Sequence, residues 1–309
     1  MKKHIEQELA GRTIATVVSA TRRFVQLLES NGKTHIARAR SKAVDAVVGD
    51  KVLFEDEGDR AIVVEVLPAK NKLSRSYREE TKKLAANLDE LFIVTAIGPL
   101  FNTYFIDRII AVASAEFIPF TLVVNKSDLG AEYFEPLLEI YRRIETPIFC
   151  TSAKFGKEME LFEERINNPA IEVAAFCGVS GVGKSTILNY LLPGTRARTD
   201  EVSVRTGQGK QTTSQAFGYT LERKSAPRLL LIDLPGVQSF GITHLSKQQV
   251  GDAFPEIVTH RQNCAFDNCS HLSEEHCGVV KAVESREIPF SRYESYAKMI
   301  AELDEARRY

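Results

Sequence analysis

The stretch Gly178-Val179-Ser180-Gly181-Val182-Gly183-Lys184-Ser185 decides the fold. It fits the pattern G-x-x-x-x-G-K-[ST]. The segment before it, 171–177 (IEVAAFC), is mostly apolar and reads as a buried strand. The segment 184–192 reads as a helix, with Ile187, Leu188, Leu191 and Leu192 on one side. A strand, a glycine-rich loop and a helix N-terminus together form an anion site, because loop N–H groups and the helix dipole both point at phosphate. Lys184 would neutralise the β- and γ-phosphates, the Ser185 hydroxyl would ligate Mg²⁺, and the backbone through Thr186 would line the nucleotide. A chance glycine turn ahead of a helix would not need the buried strand as well.

Upstream, the pattern alternates strand and helix. Segment 90–97 (ELFIVTAI) is nearly all apolar, as a parallel strand buried on both faces should be. Segment 104–116 reads as a helix that turns Phe105, Ile109, Val112 and Ala113 inward. The next strand, 117–124, runs into Asn125-Lys126-Ser127-Asp128, which fits N-K-x-D. That motif suits guanine. The Asp128 carboxylate can accept from N1–H and the 2-amino group, and adenine would leave it unpaired at a cost. The Lys126 stem can lie over the ring, and Asn125 can tie this loop to the phosphate loop. A helix over 131–144 and a strand over 147–151 lead to Ser152-Ala153-Lys154, which fits S-A-K, a loop whose backbone N–H meets the guanine carbonyl oxygen. A helix over 156–167 follows.

Downstream, 194–214 is long and polar, and Thr212 or Thr213 within it could reach Mg²⁺ once a γ-phosphate is bound. The strand 229–232 then leads into Asp233-Leu234-Pro235-Gly236, which fits D-x-x-G: the Asp holds Mg²⁺ through water and the Gly N–H senses the γ-phosphate. Either stretch alone would pass for a plain loop. Their order carries more information. Base motifs normally follow phosphate motifs, and here they precede them. A circular permutation explains this at little physical cost, since domain termini often lie close together. It also sends the chain out of the sheet directly after D-L-P-G.

Residues 1 to about 70 hold five short apolar runs (12–18, 24–28, 34–39, 50–55 and 60–67) broken by turn signals, which suits a small barrel of OB type. Pro68 and the basic stretch to Lys83 read as a linker. Near the other end, Cys264, Cys269, His271 and Cys277 form C-x4-C-x-H-x5-C, a donor set suited to one tetrahedral structural Zn²⁺. The segment 242–309 is short for a core of its own, and structural zinc supplies on the order of 10 kcal/mol of folding free energy. His276 is a weaker ligand choice, His244 and His260 read as surface histidines, and Cys150 and Cys177 as core thiols. A final helix from about Ser291 presents Tyr293, Tyr296, Ala297, Ile300 and Leu303 on one face.

The 309 residues carry a net charge of −1, so binding to nucleic acid would rest on local patches: Lys33, Arg38, Arg40 and Lys42, and the six Lys/Arg between Lys70 and Lys83. The N-terminus lacks the apolar core of a signal peptide and no run of about 18 apolar residues occurs, so a cytoplasmic protein without a membrane span is expected. Five cysteines, an odd number, argue against a disulfide framework.

With these motifs quoted, the chain resembles the RsgA (YjeQ/YloQ) family of circularly permuted GTPases over essentially its whole length. The resemblance rests on the OB-like start, the rotated order Asn125–Asp128, Ser152–Lys154, Gly178–Ser185, Thr212/Thr213 and Asp233–Gly236, the cysteine–histidine spacing, and the run Ala85-Ala86-Asn87-Leu88-Asp89. It implies a multidomain protein: an OB-fold barrel (1–70), a circularly permuted α/β P-loop GTPase domain (71–241) and a helical zinc-binding domain (242–309). It implies binding to the small ribosomal subunit and its rRNA during late maturation and hydrolysis of GTP to GDP with stimulation by that subunit; apart from the resemblance, a monomer is expected. Lys184, Ser185, Thr212, Thr213, Asp233 and Gly236 would serve the reaction. Two residues depart from expectation. Gln211 stands where many members have His, and Val237 follows the D-x-x-G glycine where many GTPases carry a water-orienting Gln. Unassisted turnover should therefore fall in the slow range of roughly 10⁻⁴ to 10⁻² s⁻¹. The rivals are an ATP-using P-loop enzyme, disfavoured by N-K-S-D and S-A-K, and a nucleotide-gated RNA-binding or assembly scaffold with little hydrolysis.

Overall fold

A computed structural model of the chain describes residues 12–21, 23–39, 45–56, 58, 61–77, 80–192, 216–235 and 240–307. The first five strands are β1 (Arg12–Ala20), β2 (Val25–Leu28), β3 (Thr34–Ala39), β4 (Lys51–Asp56) and β5 (Ala61–Val66). They pair in the cyclic order β1-β2-β3-β5-β4-β1, antiparallel except for β3 with β5, and so close a barrel with the OB topology. Alternation sets the inside: Ala15 and Val17, Val25 and Leu27, Val52 and Phe54, and Ala61 and Val63 form a small separate core.

The expected linker is a hairpin, β6 (Lys72–Tyr77) with β7 (Glu80–Ala86). Its charged residues conceal an apolar underside: Leu73, Leu84 and Ala85 are buried in the main core, and Ala86 is buried beside them in sequence. The run 85–89 then stitches three parts together. Ala86 N–H donates to Val48 O at 3.0 Å and Asn87 Nδ2 donates to Gly49 O at 2.9 Å, both in the barrel. Leu88 N–H donates to Asn71 Oδ1 at 2.8 Å, and the Asp89 carboxylate accepts from the N–H groups of Glu172 and Val173 at 2.9 Å each.

Six strands build the central sheet: β8 (Glu90–Ala96), β9 (Phe120–Asn125), β10 (Ile148–Thr151), β11 (Val173–Cys177), β12 (Phe217–Leu221) and β13 (Leu229–Asp233). Their spatial order is β10-β9-β8-β11-β13-β12, parallel except for the antiparallel edge strand β12. Every residue of β8 is buried, which accounts for its unbroken apolar run. Strand β12, which no motif announced, joins β1 through Ser19 and Phe217, so barrel and sheet are continuous. Helices α1 (Thr103–Ala115) and α2 (Glu135–Arg142) pack into one core, and α3 (Glu160–Ile166) and α4 (Lys184–Leu191) into the other. Asn102 caps α1 by accepting from Phe105 N–H at 2.9 Å.

The C-terminal helices are α5 (Lys247–Asp252), α6 (Pro255–Arg261), α7 (Gly278–Glu284) and α8 (Phe290–Ala306). They do not form a core apart. Phe254, Ile257, Val279, Met299, Ile300 and Leu303 share one buried cluster with Ile106, Ile109 and Ile110 of α1. This overturns the picture of α1 as a one-sided helix. Everything from Phe105 to Ala113 is buried, Asp107 and Arg108 included, because the C-terminal helices cover its outer face.

Those two charges are answered across the junction. Arg292 of α8, only 1% exposed, donates to Asp107 Oδ1 at 2.5 Å and to the Glu256 carboxylate at 2.6 and 3.3 Å, and its guanidinium lies 4.3 Å from the Phe254 ring centre. Burial alone would weaken its hold on the proton, but the Asp107 and Glu256 carboxylates more than reverse that, so the guanidinium stays charged, while burial pushes the Asp107 carboxyl up against the pull of Arg292. Tyr141 of α2 adds a hydroxyl to Asp107 at 3.1 Å. Arg108 binds the Glu302 carboxylate with both Nη atoms and donates through Nε to Phe240 O at 2.7 Å. No described helix is long and apolar enough to cross a membrane.

Removing one member of a buried ion cluster strands the others. Arg292→Met, which keeps much of the volume, should lower stability by about 3–5 kcal/mol. Urea denaturation followed by far-UV circular dichroism measures this, and a loss below 1 kcal/mol would show that the cluster is dispensable.

Candidate functional site

The four described motif loops leave the carboxyl ends of β9, β10, β11 and β13, the edge where ligands sit in open parallel sheets. Strand β11 lies between β8 and β13, so the phosphate loop is flanked by the base-reading half on one side and by Asp233 on the other.

Two glycines are fixed by close approach. A Cβ at Gly178 would lie 2.2 Å from Val94 O, and a Cβ at Gly183 would lie 2.2 Å from Asn125 Nδ2. Gly183 also adopts φ +99°, which favours glycine. Lys184 opens α4 and is 8% exposed; its Nζ donates to Gly178 O at 2.7 Å and Val179 O at 3.2 Å. Val182 is wholly buried, whereas Ser180, Gly181 and Thr186 are open enough to face a ligand. Ser185 stands in the first turn of α4.

Asn125 is buried and works in two directions. Its Nδ2 donates to Val182 O at 2.9 Å, which is the expected tie to the phosphate loop. Its Oδ1 accepts from Ala153 N–H at 3.2 Å and from Thr151 Oγ1 at 3.4 Å. Lys126 adopts φ +63°, and Ser127–Leu129 forms a 3₁₀ turn. The Asp128 carboxylate accepts from Ser152 Oγ, so the two base loops are joined at the residues expected to read guanine. Lys154 is exposed, its Nζ 5.2 Å from the Phe155 ring centre.

Asp233 ends β13. Burial pushes its carboxyl up to about 6, with Lys184 pulling the other way, and its Oδ1 is buried without a hydrogen-bond partner. Burial likewise pushes the Lys184 ammonium down, opposed by Asp233 and Cys177. A desolvated carboxylate with a bare oxygen beside a serine-headed helix fits a hard divalent cation such as Mg²⁺, which takes oxygen donors. Thr212, Thr213 and Gly236, with Gln211 and Val237, lie outside the described residues.

In the C-terminal part, Cys264, Cys269, His271 and Cys277 bring one ligand atom each to within 4.8 Å of one another. Cys264 Sγ and Cys277 Sγ are 3.8 Å apart, and they lie 3.5 and 3.6 Å from His271 Nδ1. A tetrahedron with Zn–S near 2.3 Å and Zn–N near 2.0–2.1 Å has edges of about 3.8 and 3.6 Å, so Cys264, His271 and Cys277 stand at the spacing a zinc ion needs. N–H groups of Gly278 and Val280 point at Cys264 Sγ and Cys277 Sγ. Three supports of this loop were not legible as motifs. Tyr293 and Tyr296 hydroxyls donate to His271 O and Ser270 O, each at 3.0 Å. Burial would raise the Glu274 carboxyl, but the Ser270 side chain and the N–H groups of Ser270 and Ser273 outweigh it and hold it at about 2.

Cys150 and Cys177 sit on sheet strands as expected, with Cys177 fully buried. His244 is a correction. It is half-buried, its Nδ1 lies 2.7 Å from Ser76 Oγ, and its Nε2 is buried without a partner. The hairpin, which sequence had reduced to a linker, covers it. His260 is partly exposed, 3.7 Å from Glu287.

Comparison with known proteins follows the geometry. The family described as RsgA GTPase matches residues 66–243. A small ribosomal subunit biogenesis GTPase RsgA from Variovorax paradoxus (strain S110) is 35% identical over 298 residues, covering 94% of this chain and 92% of its own length. The crystal structure of YjeQ from Thermotoga maritima superposes with TM-score 0.73 at 29% identity, covering 94% of this chain and 98% of its own. YloQ, titled a circularly permuted GTPase, superposes with TM-score 0.68 over 95% of this chain and 96% of its own, and at 23% identity it speaks for the fold.

A carboxyl with pKa raised to about 6 is about half protonated at pH 6, and a cation binds only its ionised form. Binding of Mg²⁺–nucleotide at pH 6 should therefore release protons, with the release vanishing by pH 8. Calorimetry in buffers of different ionisation enthalpy reads this directly. Asp233→Asn should abolish it, and equal heats in all buffers for the parent protein would refute the assignment.

Proposed function

The chain belongs to the RsgA GTPase family, and we propose that it hydrolyses GTP to GDP and phosphate in small ribosomal subunit biogenesis, binding that subunit and its rRNA. The observation that carries this reading is Asn125. One side chain holds the phosphate loop and the two base-reading loops together, in a chain whose motif order is rotated. Relatives such as the Variovorax paradoxus protein carry the function in their name.

The chemistry assigned to this chain's residues is as follows. Asp128 accepts from guanine N1–H and the 2-amino group, and Ser152 holds it in place by donating to one of its oxygens. The Lys126 stem covers the base, and a backbone N–H of the Ser152–Lys154 loop, other than that of Ala153, which Asn125 already accepts, faces the guanine carbonyl. Gly178 to Thr186 wrap the phosphates with N–H donors, and Lys184 sets a charge against the β- and γ-oxygens in a desolvated place, where it counts for more than in water. Ser185 and Asp233 would hold Mg²⁺, which neutralises charge on the same oxygens. Thr212, Thr213 and Gly236 complete the γ-phosphate contacts. Val237 offers nothing to orient water, so intrinsic turnover is slow and the subunit stimulates it.

The division at 70/71 and 241/242 belongs to the same reading, with the hairpin assigned to the GTPase part. So do a monomeric state, a cytoplasmic location and one structural Zn²⁺ in the Cys₃His site.

Phosphate release from GTP by the purified protein should be slow alone and rise at least tenfold with small ribosomal subunits, with no response to ATP and none in Lys184→Ala. Tight subunit binding without stimulation would replace hydrolysis with a nucleotide-gated binding role. Native mass spectrometry should find one zinc per chain. Titrating the cysteines with a mercurial should release it and lower the melting temperature; an unchanged melting temperature would remove zinc from the stability of the fold.

A further inference from the structure

The base-reading loops are joined by two hydroxyl–carboxylate bonds that run in opposite senses. Ser152 of the second loop donates to Asp128 of the first. Ser127 of the first loop donates to Glu158 Oε2 beyond the second. Glu158 belongs to none of the motifs. We propose that Glu158 is a positioning residue for guanine recognition, acting through Ser127 to fix the angle at which Asp128 meets the base. This rests on the guanine-nucleotide reading of the site.

The backbone around Glu158 is built for that contact. Ser152 N–H donates to Lys157 O at 3.0 Å and Lys157 N–H donates to Ser152 O at 3.2 Å, so the loop 152–157 closes on itself. Closure delivers residue 158 beside residue 152. Glu158 then takes φ +58°, a conformation a non-glycine residue adopts only when its surroundings hold it there. The next residue, Met159, is completely buried and anchors the chain. Glu158 is thereby turned toward Ser127 from a fixed base.

On the other side, the turn Ser127–Leu129 needs outside support. It is flanked by Lys126 at φ +63° and Gly130 at φ +96°, and no side chain caps it. Asp128 itself is exposed. Among the described residues, Asp128 is held by Ser152 at one oxygen, and its neighbour Ser127 by Glu158. Without the second bond, Asp128 can pivot about the first. Guanine needs both carboxylate oxygens in register, for N1–H and for the 2-amino group. Hypoxanthine offers N1–H alone. Pivoting therefore costs guanine more than hypoxanthine.

The test measures dissociation constants for GDP, IDP and ADP by fluorescence competition, in the full-length protein with Mg²⁺. Glu158→Ala should weaken GDP binding about two- to fivefold, in line with a charge-assisted bond at an exposed site, and shrink the GDP-over-IDP ratio while leaving ADP unmoved. Glu158→Gln, which still accepts from Ser127, should keep most of the ratio. Ser127→Ala should match Glu158→Ala, and the double variant should be no worse than either alone, since both remove one contact. An unchanged GDP-over-IDP ratio in Glu158→Ala, or strict additivity in the double variant, overturns the proposal. So does equal weakening of all three nucleotides, because that marks general loosening of the site. A parent protein without preference for GDP over ADP would instead overturn the guanine reading itself, so the two failures are distinguishable.

Discussion

The described nucleotide site depends on one buried amide. Asn125 ends β9, and both of its polar atoms are used within the protein: Nδ2 on the carbonyl of Val182, Oδ1 on the N–H of Ala153 and the hydroxyl of Thr151. An amide suits this because it offers donor and acceptor on one planar group. An Asp in its place would set a carboxylate against a carbonyl, and an Ala would leave a buried carbonyl and N–H unpaired, each costing about 1–3 kcal/mol. Gly183 must be glycine for the same reason, since a Cβ there would occupy the space of the Asn125 Nδ2. Strands β9, β10 and β11 are therefore held in register at their carboxyl ends by a side chain as well as by the sheet. One side chain thus ties the base loops to the phosphate loop.

How much of this was legible in sequence depended on where the information lay. Motifs at fixed local spacing were readable: Gly178–Ser185, Asn125–Asp128 and the cysteine–histidine cluster all sit where their spacing placed them. So were strands with a single pattern, such as β8, whose every residue is buried. Features set by partners far along the chain were not. Lys72 to Lys83 looked like a solvated linker because it is rich in charge and its apolar residues are few, yet Leu73 and Leu84 anchor a hairpin in the main core. His244 looked like a surface histidine until Ser76, 168 residues earlier, was found beside it. Asp107 and Arg108 broke the apolar pattern of α1 and implied an exposed face. The residues that answer them, Arg292 and Glu302, are nearly 200 positions away.

That last pairing bears on what the rotated order does. In a chain with this order, the segment after D-L-P-G leaves the sheet, and a freely hinged C-terminal part would be the simple expectation. The structure joins it tightly instead. Phe240, Ile242 and Leu245 are buried within twelve residues of Asp233, and Arg108 grips the Phe240 carbonyl while holding Glu302 of α8. Arg292 and Glu256 complete the attachment to α1 and α2. Helix α2 follows the N-K-S-D loop directly. The C-terminal helices are thus fastened to the base-reading half. The metal cluster then serves a different purpose from the one its sequence first suggests. The helices already share a core with α1, so the Cys₃His site is not needed to create one. It fixes the loop between α6 and α7, and through Tyr293 and Tyr296 it fixes α8, whose other end carries the Glu302 contact to Arg108. The Cys₃His loop, α8, α1 and the Phe240 carbonyl form one connected chain of contacts.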